Sequence, residues 1–217
     1  MAWGIYMDIY EMIKLLYLVE ELQGYDESDI VSAKNHFGAL PQVVENFWRK
    51  AGRTEAIHHV QDHWSKPEEW QKNCDYLILL TENQGCFITG IQKTDLKKAD
   101  PPVYIKMNDK DWILCTETTS EFLQAVLAYE SIFTFSYVPE DFVFWLTDEE
   151  KEIISENLEK KSFMLHGWMN MDISFYSNAS DNMAAIMECD EPQVIYGAAS
   201  EESYEKLLDV MEDIGES

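Results

Sequence analysis

Residues 162–198 read SFMLHGWMNMDISFYSNASDNMAAIMECDEPQVIYGA, and this stretch decides the fold class. It contains four runs of strand length, 162–166, 172–177, 183–188 and 193–198. Two of the intervals between them, 178–182 and 190–192, supply the Asn, Asp, Ser and Pro residues that form tight turns. Because tight turns join neighbouring strands in opposite directions, we expect these strands to belong to an antiparallel sheet.

Helix patterns flank this stretch on both sides. A helix from about 201 to 213 follows it with Ser200 as its cap, and a helix from 147 to about 160 precedes it with Thr147 and Glu150 as a capping box. Further towards the N-terminus, an apolar hairpin spans 76–91 with its turn at 82–85. Strand candidates at 103–105 and 112–115 then lead to a helix that Thr118 and Glu121 cap. The remaining helix patterns cover 1–22, 28–36, 41–51, 54–63 and 66–72.

These patterns predict an α+β fold in which helices pack on a mostly antiparallel sheet. No Ser- or Gly-rich linker divides the chain, so we expect a single domain over 1–217. One core should then cover the apolar faces of successive elements. The predicted members of this core are Leu40, Phe47, Trp48, Leu79, Ile88, Trp112, Phe122 and Val126.

The chain is strongly acidic, and the charge is concentrated in its C-terminal half. It carries 16 Lys and Arg against 41 Asp and Glu, a formal net charge of −25. Residues 1–110 hold 12 basic and 17 acidic side chains, whereas residues 111–217 hold 4 and 24, a net charge of −20. Nucleic acids and anionic membranes repel such a surface, so we expect neither as a partner. A basic protein would be attracted, and the alternative is a solvated surface without a partner.

The cysteines and the N-terminus indicate where the protein works. Cys74, Cys86, Cys115 and Cys189 are scattered and form no CxxC pair, which is typical of reduced thiols. The first helix pattern contains charged residues and lacks the basic start and uncharged core of a signal peptide. No apolar run reaches the length of a membrane-spanning helix. We therefore expect a cytoplasmic protein.

Motifs that carry a reaction are absent from the sequence. The phosphate-loop, dinucleotide, serine-hydrolase and zinc-protease patterns do not occur, so we expect no enzyme and no cofactor. The one weak candidate for metal binding is Glu55, His59 and His63, whose i, i+4, i+8 spacing would place them on one helix face. The alternative, which we favour, is an exposed polar helix whose histidines face solvent.

An acidic segment from Glu140 to Glu152 is the candidate partner-binding region. Phe142, Phe144 and Trp145 are interleaved with its acids and would either anchor a partner or fill the core. Three of the acids directly follow Thr147 and would also stabilise a helix N-terminus without any partner. The candidate contact residues are Glu140, Asp141, Asp148, Glu149, Glu150 and Glu152.

Several short motifs occur in the order and spacing of a known family. They are Gly38-Ala39-Leu40-Pro41 with Phe47-Trp48 and Gly52, the hairpin 76–91 with its turn at 82–85, Asp100-Pro101-Pro102-Val103-Tyr104, Trp112, and Ser120-Glu121-Phe122-Leu123. In this order the chain resembles the SUKH superfamily, the Smi/Knr-like proteins, over residues 28–130. Residues 1–22 would then be an N-terminal helical extension, and 131–217 would supply further strands and the C-terminal helix.

The resemblance implies an α+β fold without an active site. Many bacterial members of that superfamily are immunity proteins that neutralise a delivered toxin, often a nuclease, whereas eukaryotic relatives regulate or scaffold processes such as cell-wall synthesis. The resemblance thus implies a non-enzymatic immunity protein whose partner is a cognate toxin. The alternative is a regulatory or scaffold module of the same fold. The apolar first helix leaves both a monomer and a homodimer open.

Overall fold

The computed structural model describes residues 8–58, 60–69, 75–108, 110–212 and 214. Within these residues, six α-helices and two antiparallel five-stranded sheets form the predicted α+β fold, with two sheets where one was expected. The first helix is shorter than predicted, and residues 1–7 of that prediction lie outside the described part. The helices are α1 (Ile9–Leu16), α2 (Glu27–Phe37), α3 (Gln42–Lys50), α4 (Thr119–Ile132), α5 (Asp148–Asn157) and α6 (Glu201–Met211).

The first sheet follows the order of the chain. Its strands are β1 (His63–Trp64), β2 (Tyr76–Thr81), β3 (Phe87–Gln92), β4 (Val103–Met107) and β5 (Ile113–Thr116). Each strand pairs with the next one in antiparallel register. The turn between β2 and β3 contains Gly85 at φ +72°, a left-handed conformation that glycine adopts without steric cost. The pairing of β2 with β3 confirms the predicted hairpin.

The second sheet is formed by the stretch that decided the fold class, together with one short strand before it. Its strands are β6 (Phe144–Trp145), β7 (Glu159–Trp168), β8 (Met171–Ser177), β9 (Asn182–Glu188) and β10 (Gln193–Ala198). Their order in the sheet is β6-β10-β9-β8-β7, and every pair is antiparallel. The three strands β8, β9 and β10 begin and end within one residue of the predicted limits.

Two hydrophobic cores cover the two faces of this second sheet. Ile173, Phe175 and Ile195 belong to the larger core, which also contains α1, α3, α4 and the first sheet. Their sequence neighbours Tyr176 and Val194 belong to the smaller core, which contains α5 and α6. Because successive strand residues point to opposite faces, β8, β9 and β10 are buried on both sides and read as continuous apolar runs.

Six of the eight predicted core residues are buried together in the larger core, namely Leu40, Phe47, Trp48, Leu79, Phe122 and Val126. The prediction is wrong for Ile88 and Trp112, which are only half-buried. Trp112 instead stacks on Tyr76, with ring centroids 3.8 Å apart and planes 13° from parallel. Helix α4 lies at the centre, where every residue from Phe122 to Ile132 is buried.

The predicted helix caps are present at three helix starts. Thr147 accepts a hydrogen bond from the Glu150 backbone N–H, and the Glu150 side chain accepts one from the Thr147 N–H, which is the complete capping box. Thr118 accepts from the backbone N–H of Glu121 at the start of α4, and Ser200 accepts from that of Ser203 at the start of α6. These side chains satisfy amide groups that would otherwise lack partners at a helix N-terminus.

The helix predicted over 54–63 does not form. A 3₁₀ turn covers Glu55–Ile57, and residues 63–64 form β1, where His63 pairs with Thr81. The reason is tertiary: the Glu130 carboxylate accepts the backbone N–H groups of Gln61 and Asp62, at 2.8 and 3.3 Å. Similarly, the helix predicted over 66–72 is a 3₁₀ turn at Pro67–Glu69, and residues 70–72 lie outside the described part.

Candidate protein-binding surface

Strand β6 forms one edge of the second sheet and places Trp145 on the protein surface. Phe144 pairs with Val194 and Trp145 with Gln193, and the Leu146 N–H donates to the Pro192 carbonyl at 2.8 Å. Phe144 packs against Tyr196, with ring centroids 5.6 Å apart, so this side of the strand faces the smaller core. Alternation along the strand therefore turns Trp145 outward, where it is 57% exposed.

Trp145 borders an open pocket of about 470 Å³ whose lining is acidic. Asp190 and Glu191 lie across this pocket because the turn before β10 runs alongside β6. Both residues are exposed. The sequence predicts only that these two residues lie in a hairpin turn. Their position beside Trp145 depends on the order of strands in the sheet, which no neighbouring residues indicate.

The 140–152 segment, which contains Trp145, carries further exposed acids. Glu140, Asp141, Asp148, Glu149 and Glu152 are exposed. We use the name acidic edge for these five residues together with Trp145, Asp190 and Glu191. Val143 and Ile153, which are 44% and 45% exposed, add apolar surface to the same segment.

The only cation in the sequence of this segment, Lys151, pairs mainly with Glu188. Lys151 Nζ lies 2.9 Å from the Glu188 carboxylate and 4.0 Å from that of Asp148. The hydrogen bond to Glu188 raises the pKa of Lys151, as expected for an ammonium group that donates to a carboxylate. The Asp148 side chain is 97% exposed, so little of its charge is neutralised within the protein.

Glu150 differs from the other acidic candidates. It is only 8% exposed, and its carboxylate accepts from both the backbone N–H and the hydroxyl group of Thr147, at 2.7 and 2.8 Å. It is therefore part of the helix cap and is removed from the candidate contact residues. Phe142 and Phe144 also fill the interior rather than the surface, since Phe142 packs on Phe133 with centroids 5.3 Å apart.

The three candidate metal ligands do not share a helix face. Glu55 belongs to the 3₁₀ turn, His63 lies on β1, and His59 is outside the described residues. Across the part of the chain that the structure describes, no cluster of three or more His, Cys, Asp or Glu side chains has the geometry to hold a metal ion. The spacing argument for a metal site thus lacks the helix on which it depended.

Two of the described cysteines, Cys86 and Cys115, are poor nucleophiles. Cys115 is fully buried, and this burial raises the pKa of its thiol to about 12. The pKa of the Cys86 thiol is also raised, by desolvation and then by the charge of Glu82. Because the thiolate is the reactive form, neither residue is activated for catalysis at neutral pH.

A pair of buried carboxyl groups, Glu130 and Asp62, joins α4 to the first sheet. Glu130 is 1% exposed, and its Oε2 atom accepts the two N–H groups of residues 61 and 62 described above. Asp62 is 4% exposed and accepts from the Asn83 N–H in the β2–β3 turn at 3.3 Å. Burial, followed by the charge of Asp62, raises the pKa of Glu130 to about 8. The pair is too deeply buried to meet a substrate, and it holds three chain segments together.

One side of the first helix is closed by intramolecular contacts. The Tyr17 hydroxyl group donates to the Leu127 carbonyl at 2.8 Å, and the Tyr17 side chain is buried against α4. This residue is therefore unavailable for a contact with a second copy of the chain.

No family model, curated protein or solved structure matches the chain. Any function must therefore be argued from the chain's own residues. Among the helices that the structure describes, none is long and apolar enough to cross a membrane.

Proposed function

We propose that this protein is a non-enzymatic, cytoplasmic inhibitor of the immunity type, which binds and neutralises a protein toxin through the acidic edge. The observation that carries the proposal is Trp145, a large aromatic residue that is 57% exposed on an edge strand and shares a pocket with the exposed acids Asp190 and Glu191. Exposed tryptophans of this kind are typical centres of binding energy in protein interfaces. The acids around it make a partner with a basic surface the best match.

Charge also explains why such an inhibitor would act quickly. A net charge of −20 in residues 111–217 attracts a basic partner over a distance and raises the association rate. A nuclease toxin must present a basic groove to its nucleic-acid substrate. An acidic protein that occupies the groove would exclude that substrate. The resemblance of residues 28–130 to the SUKH superfamily supports the same function.

The experiment is co-expression of the protein with the product of the neighbouring gene, scored by cell survival and by the recovery of a complex. We expect Trp145→Ala to weaken the complex by about 2 kcal/mol or more, or roughly thirtyfold in Kd, if the residue is a centre of the interface. The double reversal Glu140→Lys with Asp141→Lys should also weaken protection.

The matched control is Glu20→Lys with Glu21→Lys, an equal charge reversal at two exposed, adjacent acids outside the acidic edge. It should leave protection and the complex unchanged. Equal losses in both double reversals would show that net charge, and not the acidic edge, determines binding. If the wild-type protein gives no protection but purifies with a resident cellular protein, the regulatory or scaffold function replaces this proposal.

A further inference from the structure

A second pocket, remote from the acidic edge in sequence and formed by different elements, lies between α1, α3 and the start of α4. Its volume is about 650 Å³, within the range of sites that hold small molecules. Phe47, Leu123 and Gln124 are its buried members and form the floor. Its exposed polar members form the rim, and these are Asp8, Gln42, Asn46 and Asp100.

Gln124 is an unusual residue for this floor. It is only 8% exposed, yet no hydrogen bond joins its side-chain amide to any described residue. The amide atoms still reach solvent through the open pocket, because Glu130 Oε1 is the one buried side-chain polar atom without a partner among the described residues. A ligand group that enters the pocket can therefore replace water as the hydrogen-bond partner of the Gln124 amide.

The charge of the lining selects against anions. Asp8 and Asp100 are acidic, and no Lys, Arg or His is among the described residues that line the pocket. Lys50 Nζ lies 4.5 Å from the centre of the Tyr10 ring but does not line the pocket. Burial, followed by the charge of Asp8, raises the pKa of Tyr10, so this phenol stays neutral.

The walls between floor and rim are apolar. Ile9, Val43 and the half-buried Tyr10 ring line the space above Phe47 and Leu123. Such walls favour the aromatic or alkyl body of a ligand, because burying it removes apolar surface from water.

We infer that this pocket binds a small organic cation with an ammonium group at one end, an apolar body, and a hydrogen-bonding group at the other end. The ammonium group would meet the acidic rim, the body would lie between the apolar walls, and the far polar group would pair with the Gln124 amide. This inference is independent of the proposed function, because it uses none of the acidic edge.

Tyramine is a probe with these three features, and two close analogues each lack one of them. We expect the full-length protein to bind tyramine in calorimetric titration. It should bind 4-hydroxyphenylacetate, which has a negative group in place of the ammonium, about tenfold more weakly. Phenethylamine lacks the phenol hydroxyl group and should bind about three- to tenfold more weakly than tyramine.

Three variants test whether tyramine binds in this pocket. Gln124→Leu keeps the side-chain size but removes the amide, so it should abolish the preference for tyramine over phenethylamine. Asp8→Asn lies on the exposed rim, where it leaves the core intact. It should weaken the binding of both amines and strengthen that of the anion, because it removes a negative charge. Gln92→Leu, outside the pocket lining, is the matched control and should change neither.

The inference is overturned if neither amine binds, if the anion binds as tightly as tyramine, or if the preference for tyramine survives Gln124→Leu. Thermal unfolding of each variant is measured alongside. Should Gln124→Leu fail to fold, the Asp8→Asn titration decides, since an unchanged affinity for both amines would contradict the acidic rim.

Discussion

At the scale of single residues, the buried carboxyl pair carries the strongest constraint in the molecule. Glu130 Oε2 accepts two backbone N–H groups, whereas Oε1 has no hydrogen-bond partner among the described residues. An ionised carboxylate in that position would leave a buried charge beside a second acid, Asp62. A proton shared by the two carboxyl groups removes this conflict, and it explains why the folded protein keeps Glu130 neutral near pH 7.

The first prediction is a pH dependence of stability. The folded protein raises the pKa of Glu130 to about 8 and that of Asp62 to about 6, so it binds protons more tightly than the unfolded chain does. The contribution of the pair is therefore complete at low pH and is lost as pH rises through about 8. We expect the free energy of unfolding in urea to fall by about 1–3 kcal/mol from pH 5 to pH 9 on account of this pair.

Glu130→Gln keeps the shape but cannot ionise, so it should flatten this pH profile. The other titratable groups that act on the pair are His63, Glu82, Tyr17 and Tyr129, and all of them remain in the variant. Glu140→Gln, which removes an exposed acid, is the control and should keep the wild-type slope. Parallel profiles for wild type and Glu130→Gln would contradict the shared proton.

The second prediction concerns packing at Leu79. This β2 residue is 2% exposed within the larger core, so Leu79→Ala should reduce the free energy of unfolding by about 2–5 kcal/mol through the cavity that it leaves. Leu18→Ala, at a residue that is 66% exposed, should change it by less than about 0.5 kcal/mol. If both variants change the free energy of unfolding by similarly small amounts, Leu79 is not buried in the core and strand β2 is assigned incorrectly.

At the scale of helices and strands, local signals predicted most of what formed. Strands β7 to β10 follow from runs and turns that are continuous in sequence, and the Thr147–Glu150 capping box needs only four residues, whereas strand β6 and the division into two sheets were not predicted. The helix predicted over 54–63 fails because Glu130, 68 residues from Asp62, takes the backbone N–H groups of that segment. A contact of such long range has no local signature.

The candidate site shows the same difference. The exposure of Glu140 and Asp141 was predictable from their charge, whereas the position of Asp190 and Glu191 beside Trp145 depends on the order of strands in the sheet.

The third prediction tests the cap that separates Glu150 from the acidic edge. Thr147→Ala removes the acceptor for the Glu150 N–H and should lower the free energy of unfolding by about 0.5–2 kcal/mol. Ser155→Ala, at an exposed residue within α5, is the control and should have a much smaller effect. If Thr147→Ala leaves the free energy of unfolding unchanged, the cap does not explain why Glu150 is buried. Glu150 would then return to the candidate contact residues.

At the scale of the whole molecule, the uneven charge of the sequence becomes an uneven charge in space. The second sheet and the two helices of the smaller core all fall within residues 144–211, inside the half that carries a net charge of −20. This half also contains the acidic edge, whereas the first sheet belongs to the more neutral half. Under the proposed function, a basic partner would therefore approach the second sheet first, and the edge strand β6 would supply the apolar contact once the surfaces meet.

The last prediction follows from this order of events. The double reversal Glu140→Lys with Asp141→Lys should slow association with the purified partner by about tenfold at low salt, because it weakens the attraction that guides the encounter. Salt screens the same attraction, so the wild-type rate should fall as salt is added and approach that of the variant. Trp145→Ala should act mainly on the dissociation rate, since the tryptophan contributes only after contact. Stopped-flow measurements at low and high salt separate these effects. Association rates that respond neither to the reversals nor to salt would place the interface elsewhere, most directly on α1 or the hairpin loops of the first sheet.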